Sequence, residues 1–196
     1  MLIAISGSQG SGKTTTLNKL KELGFTTVER KTSRSILNDW GVSLKEVNEN
    51  AELTLKFQEE ITLRKYQDEM EYVSSSEWVF TERTHADLFT YALISLGKDN
   101  HHNDWLNTYY QTCKEHNQSY ASVFYIRAGH FVPEHDGVRG SNIHYSRMVD
   151  LTMLDITTQM INENKLSIID TPILDKRVSC IRENLPIPPN YNGVYW

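Results

Sequence analysis

Glycine, lysine and threonine occur near the N-terminus at a spacing that can surround phosphate. Residues 7–14, GSQGSGKT, match G-x-x-x-x-G-K-[S/T] at every fixed position. The glycines allow a tight turn whose N–H groups point at phosphate oxygens, and the helix that follows adds positive potential. Lys13 would then reach the β- and γ-phosphates, while the Thr14 hydroxyl would bind Mg²⁺. We therefore expect ATP and Mg²⁺ as cofactors, bound by Gly7, Ser8, Gln9, Gly10, Ser11, Gly12, Lys13, Thr14 and Thr15.

Two carboxylates compete for a further metal-binding position. Glu82 follows the apolar run 78–81, and Asp170 follows the apolar run 166–169. An acidic residue at the end of a strand can bind Mg²⁺ directly or through water. We favour Glu82 because Arg83 follows it, and an acid with an arginine at one strand end can serve metal and phosphate together. The alternative for either residue is a surface carboxylate at a helix start.

Glu29 is the candidate for the acceptor side of the reaction. It ends the predicted strand 25–28, and a carboxylate there could accept a proton from a hydroxyl or bind a sugar. A salt bridge to Arg30 or Arg34 is the alternative. We expect the strands that precede Glu29 and Arg83 to flank the phosphate-loop strand, which would place both residues beside the γ-phosphate.

A glycine- and histidine-rich segment, 129–144, has the composition of a mobile loop. It contains the sequence DGVR at 136–139, and Arg147 follows it. Arginines that arrive with a closing lid can neutralise charge on the transferring group and exclude water. We therefore predict a small lid at about 129–147, with Arg139 and Arg147 as catalytic residues. Ordinary surface arginines are the alternative, and the local histidines lack a metal-binding spacing.

Apolar runs alternate with helical patterns along the chain. We predict strands at 2–6, 25–28, 78–81, 121–126 and 166–169. Helices are predicted at 13–23, within 33–72, and at 104–116, 146–162 and 175–183. A further helix is predicted after Glu82, in the stretch that runs up to Gly97. Ser43 and Glu46 predict a capping box after a break at 40–43. The alternation predicts an α/β three-layer P-loop fold, with a five-stranded parallel sheet, helices on both faces and the small lid.

Composition narrows the classes of function. A chain of 196 residues with 39% hydrophobic residues fits a single domain, 1–196. The net charge of −5 argues against nucleic acid as a partner. Cys113 and Cys180 have no metal-ligand spacing, and no leader or membrane-spanning run is visible. We expect a cytoplasmic enzyme with a small-molecule substrate and no membrane partner; a homodimer is compatible with the sequence.

At these residues the sequence resembles the nucleoside and nucleotide kinase branch of P-loop proteins. The resemblance is greatest to the ATPase/kinase family associated with NAD metabolism, which includes a ribosylnicotinamide kinase domain. It extends from residue 2 to about residue 170. The resemblance rests on the phosphate loop, on the sequence at 136–139, on Glu29 with Arg34, and on the run ERT at 82–84 with Asp87.

Thymidylate and deoxynucleoside kinases also carry an acid–arginine pair after the third strand, and their arginine contacts phosphate near the acceptor. The resemblance implies that role for Arg83, with Glu29, Arg34 and Asp87 binding substrate. The proline that often follows the second-strand glutamate is replaced here by Arg30, which leaves the acceptor open.

The predicted function is transfer of the γ-phosphoryl group of ATP to a small nucleoside or nucleoside monophosphate. A kinase acting on nucleic acid, at a strand end or a modified base, is the first alternative. A nucleotide-binding ATPase or switch module is the second. The chain has no Asn-Lys-x-Asp loop, which argues against guanine specificity.

Overall fold

Strands and helices alternate along residues 1–28, 33–131 and 142–187, which are the residues that the computed structural model describes. The strands are β1 Leu2–Ser6, β2 Thr26–Thr27, β3 Val79–Glu82, β4 Ser122–Ile126 and β5 Leu166–Ile169. The helices are α1 Lys13–Glu22, α2 Ser33–Trp40, α3 Leu44–Glu49, α4 Ala51–Met70, α5 His85–Leu96, α6 Asn103–His116, α7 Ile143–Met160 and α8 Leu174–Glu183. None of these helices is both long and apolar enough to cross a bilayer.

The five strands form one parallel sheet in the order β2-β3-β1-β4-β5. The predicted five-stranded parallel sheet is confirmed, and the phosphate-loop strand β1 lies at its centre. The predicted position of the strand before Glu29 is wrong, however, because β3 and β4 flank β1. Strand β2 pairs with β3 at the sheet edge, through Thr26 with Val79 and Thr27 with Phe80. Glu29 itself lies outside the described residues.

Helices cover both faces of the sheet because successive side chains of β1 point to opposite sides. Ile3 and Ile5 pack with Leu17 of α1 and Val178 of α8 in one apolar cluster. Their neighbour Leu2 belongs to a second cluster, together with other residues of the opposite face. The result is the predicted three-layer arrangement.

Side-chain caps set two helix boundaries in the region predicted as mostly helical. The predicted capping box at Ser43 and Glu46 is confirmed at the start of α3. Asn50 ends α3 and begins α4, where its side chain accepts a hydrogen bond of 3.1 Å from the N–H of Leu53. This second boundary was not among the predicted ones. Helices α2 and α3 pack against α4, and α6 packs against α5.

Helix α7 begins three residues earlier than predicted. The Asn142 side chain accepts hydrogen bonds from the N–H groups of His144 and Tyr145, at 2.9 and 3.1 Å, and so caps the helix at Ile143. Arg147 therefore lies in α7, as the helix predicted at 146–162 implied, and its part in a lid at about 129–147 stays a prediction. Residues 132–141, which include Arg139, lie outside the described residues.

Candidate active site

The phosphate loop, residues 7–14, leaves no room for side chains at two of its glycines. Gly7 has φ of 134°, and a Cβ there would lie 2.3 Å from the carbonyl oxygen of Ile126. Gly12 has φ of 89°, and its Cβ would lie 2.4 Å from Nη1 of Arg177. Both the conformation and the space require glycine. The loop backbone is therefore held between the end of β4 and helix α8.

Lys13 belongs to the phosphate loop and is also the first residue of α1. Its side chain is 4% exposed, and Nζ donates a hydrogen bond of 2.7 Å to the carbonyl oxygen of Ser8. The first turn of α1 contains no acidic residue, so the positive end of the helix dipole is not neutralised there. The ammonium group and the helix start together form a site that suits phosphate.

Thr14, in the first turn of α1, lies close to Glu82, the last residue of β3. The Thr14 hydroxyl lies 3.4 Å from each carboxylate oxygen of Glu82. Asp170 follows β5, two strands away from β1, and its carboxylate lies 2.7 Å from Nε2 of His130. The geometry therefore brings Glu82, and not Asp170, to the threonine of the loop.

The oxygen atoms of Thr14 and Glu82 suit Mg²⁺. This ion commonly binds through one or two carboxylates together with substrate phosphates and water. The described ranges contain no group of three or more His, Cys, Asp or Glu side chains that could hold a metal by themselves. Any Mg²⁺ ligands at this site would thus include nucleotide oxygens, which is the usual arrangement behind a phosphate loop.

Arg83 adopts a backbone conformation that side chains rarely take. Its φ is 67°, and it is the sole non-glycine residue with positive φ in the described part of the chain. The side chain is 17% exposed, with Nη1 4.0 Å from Oδ2 of Asp87 and the guanidinium 5.2 Å from the ring centre of Tyr91. Burial alone would lower the pKa of Arg83, but the combined effect of Tyr91, Asp87 and Glu82 is larger and raises the pKa above its usual value. The residue is a permanent cation.

Asp87 is buried and links β1 to the start of α5. Its Oδ1 accepts hydrogen bonds from Ser6 Oγ at 2.5 Å and Thr84 Oγ1 at 2.6 Å. Its other carboxylate oxygen, Nη1 of Arg83 and the Tyr91 hydroxyl are buried without a hydrogen-bond partner among the described residues. Buried polar atoms without a partner are unusual in proteins, and a bound ligand is one way to satisfy them. We refer to Arg83, Asp87 and Tyr91 as the polar cluster.

The other predicted residues are placed less centrally. Arg34 is the second residue of α2, and Arg147 lies in the second turn of α7; both side chains are exposed. Helix α7 is anchored to the end of β4 by buried Asp150, which accepts hydrogen bonds from Arg127 Nε and the Ala128 N–H at 2.9 and 3.0 Å. Glu29 and Arg139 lie outside the described residues, so their roles stay predictions.

Two residues near the site were missed by the sequence analysis. Tyr91 belongs to the polar cluster. Arg177 of α8 is 2% exposed and donates to the carbonyl oxygens of Ser11 and Thr171, at 2.8 and 2.6 Å. Its position four residues before Ile181 on the helix predicted at 175–183 indicates the buried face, but no local pattern shows its contact with the loop.

Comparison with known proteins identifies a family and several solved structures of similar fold. A family model described as "AAA domain" matches residues 2–172. Deoxyadenosine kinase from M. mycoides with bound dATP superposes with a TM-score of 0.68 at 16% identity, covering 93% of this chain and 98% of that chain. The same kinase with bound dCTP superposes with a TM-score of 0.64 at 15% identity, covering 93% and 97%.

NadR in complex with NR superposes with a TM-score of 0.70 at 12% identity, covering 93% of this chain and 50% of NadR. The chain thus spans about half the length of NadR. No curated protein sequence matches the chain.

Proposed function

This chain belongs to the AAA domain family, and from that premise we propose that it is a P-loop kinase that transfers the γ-phosphoryl group of ATP to a small nucleoside or nucleoside monophosphate. The observation that carries the proposal is the meeting of the phosphate loop with Glu82, 3.4 Å from Thr14, with Arg83 next in sequence. Two oxygen-bearing side chains suited to Mg²⁺ and a buried cation then lie near the carboxyl ends of adjacent strands, where ligands of such sheets bind.

The donor side follows from the loop. Backbone N–H groups and the start of α1 would hold the phosphates, and Lys13 would move from Ser8 onto the β- and γ-phosphate oxygens. Bound Mg²⁺, held by Thr14 and Glu82, would supply neutralisation of the phosphate charge. Arg139 and Arg147 are proposed as lid arginines that stabilise the charge of the transferring group.

We propose that the acceptor binds beside the polar cluster. The class of acceptor is suggested by the neighbouring structures, whose ligands are dATP, dCTP and NR. A nucleoside hydroxyl would need a base to position or deprotonate it, which is the role proposed for Glu29. A monophosphate would need no base, and its charge would pair with Arg83. Arg34 and Asp87 are proposed to contact the acceptor.

The test is a transfer assay with ATP, Mg²⁺ and a panel of nucleosides and monophosphates, run with Glu29→Gln and Arg83→Gln. For a nucleoside acceptor, Glu29→Gln should lower kcat much more than it weakens ATP binding. For a monophosphate acceptor, Arg83→Gln should have the larger effect on kcat/KM. Unchanged kcat/KM in both variants would show that the acceptor site is misplaced.

The same assay separates the alternatives. Hydrolysis of ATP with no phosphorylated product would favour an ATPase or switch module. Salt-sensitive transfer to an oligonucleotide would favour a nucleic acid kinase, against the net charge of −5.

A further inference from the structure

A buried ion pair lies directly behind the strand end that carries Glu82. Lys65 and Glu69, one turn apart on α4, have side chains that are 1% and 2% exposed and form a short ion pair. Burying two charges costs more than burying apolar residues of the same size, even when the charges pair. Stability alone therefore does not account for this pair.

Glu69 is surrounded by hydrogen-bond donors. Thr81 Oγ1 donates to its Oε1 at 2.6 Å, and the Tyr120 hydroxyl donates to its Oε2 at 3.0 Å. Burial alone would raise the pKa of Glu69, but Lys65 and His85 lower it to about 2. The carboxylate is ionised and holds the Lys65 ammonium in one position.

Lys65 in turn contacts the backbone of the active site. Its Nζ donates a hydrogen bond of 3.2 Å to the carbonyl oxygen of Glu82. The N–H on the other side of that peptide, which belongs to Arg83, donates to the carbonyl oxygen of Ile5 at 2.9 Å. The peptide between Glu82 and Arg83 is thus held from both sides.

The orientation of this peptide determines where two functional side chains point. Arg83 has φ of 67°, a conformation that persists in a non-glycine residue when its surroundings impose it. In this conformation the Glu82 carboxylate faces Thr14, and the Arg83 guanidinium faces Asp87 and Tyr91. A rotated peptide would move at least one of the two side chains away.

We propose that Lys65, held by Glu69, is a positioning residue that fixes the Glu82–Arg83 peptide, so that one side chain faces the metal position and the other faces the acceptor. The roles of Glu82 and Arg83 in this statement rest on the proposed function. The orientation of the peptide does not, because it can be measured without turnover.

The double variant Lys65→Met/Glu69→Gln tests the proposal. It keeps the side-chain volumes similar and leaves no single buried charge, which favours folding. Thr62→Val is the matched control, because Thr62 is buried on the same helix and contacts the Tyr109 hydroxyl at 2.5 Å. Circular dichroism and thermal melting would first establish that both proteins fold.

Two readouts follow. Mn²⁺ affinity in the presence of a non-hydrolysable ATP analogue, measured by electron paramagnetic resonance, should fall about tenfold or more in the double variant and stay unchanged in the control. A crystal structure should show that Arg83 has left positive φ. Unchanged Mn²⁺ affinity together with an unchanged Glu82–Arg83 peptide would overturn the proposal.

Lys65→Arg provides a second route if the double variant does not fold. It keeps the charge beside Glu69 but replaces the compact ammonium group by a planar guanidinium group. We therefore expect a smaller loss of Mn²⁺ affinity than in the double variant. Wild-type affinity in this folded variant, with Arg83 still at positive φ, would contradict the proposal. Failure of the wild-type protein to transfer phosphate would refute the proposed function and leave these binding and structural readouts intact.

Discussion

Replacement of Arg177 by methionine should weaken nucleotide binding more than it lowers the stability of the fold. The guanidinium connects the phosphate loop to the segment after β5, through hydrogen bonds to the carbonyl oxygens of Ser11 and Thr171. No carboxylate pairs with it among the described residues, and burial lowers the pKa of Arg177. Methionine fills similar space without the charge.

The two effects on stability oppose each other. Losing two hydrogen bonds from a charged donor costs about 1.5–3 kcal/mol each. Removing a buried cation that no acid neutralises recovers a penalty of several kcal/mol. We therefore expect the free energy of unfolding to change by no more than about 2 kcal/mol.

Nucleotide binding has no such compensation. The hydrogen bond to Ser11 restrains the loop. Without it, binding of the nucleotide must order the loop. A bond of about 1.5–3 kcal/mol then corresponds to a loss of about 10- to 100-fold in affinity. Isothermal titration with an ATP analogue and urea unfolding would measure the two quantities.

The control is Lys176→Met, which removes the same charge from an exposed position on α8. It should leave both quantities close to those of the wild type. Wild-type affinity in Arg177→Met would refute the reasoning, as would an equal loss in both variants, because the effect would then come from charge and not from the loop contact.

Three further predictions concern the loop, the metal and pH. Lys13→Ala should leave the circular dichroism spectrum unchanged and lower the rate of phosphoryl transfer by about 10²- to 10³-fold; full activity would contradict its assignment. Glu82→Gln should raise the Mg²⁺ concentration for half-maximal rate by about tenfold or more, whereas Asp170→Asn should not; the reverse result would transfer the metal role to Asp170. Burial lowers the pKa of His85 from 6.5 to about 4, so below pH 6.5 the unfolded chain binds a proton that the folded protein does not. The contribution of His85 to stability should fall by about 3 kcal/mol as pH decreases from 6.5 to 4, and urea unfolding should show a smaller loss over this range in His85→Gln than in the wild type.

The sequence by itself determined the features that depend on local order along the chain. The phosphate loop is one continuous segment, so its spacing identifies it without any tertiary information. The five parallel strands and the capping box at Ser43 follow from periodicity and from neighbouring residues in the same way. The expectation that Glu82 ends a strand needed only the apolar run before it.

Tertiary structure decided which strand ends meet. The sequence analysis placed the strand before Glu29 beside β1, but the order of strands depends on contacts between distant segments, and β2 lies at the edge. The Thr14–Glu82 pair is close because β1 and β3 are neighbours. Asp170, which also follows an apolar strand, lies two strands from β1 and contacts His130.

The groups that support the site were also visible only in three dimensions. Arg177 and Lys65 lie within helices, where a single cation most often marks a solvated face. Their contacts with the phosphate loop and the Glu82 carbonyl join residues that are 166 and 17 positions apart. No local pattern encodes such pairs, because burial of a charge depends on what the rest of the chain packs around it.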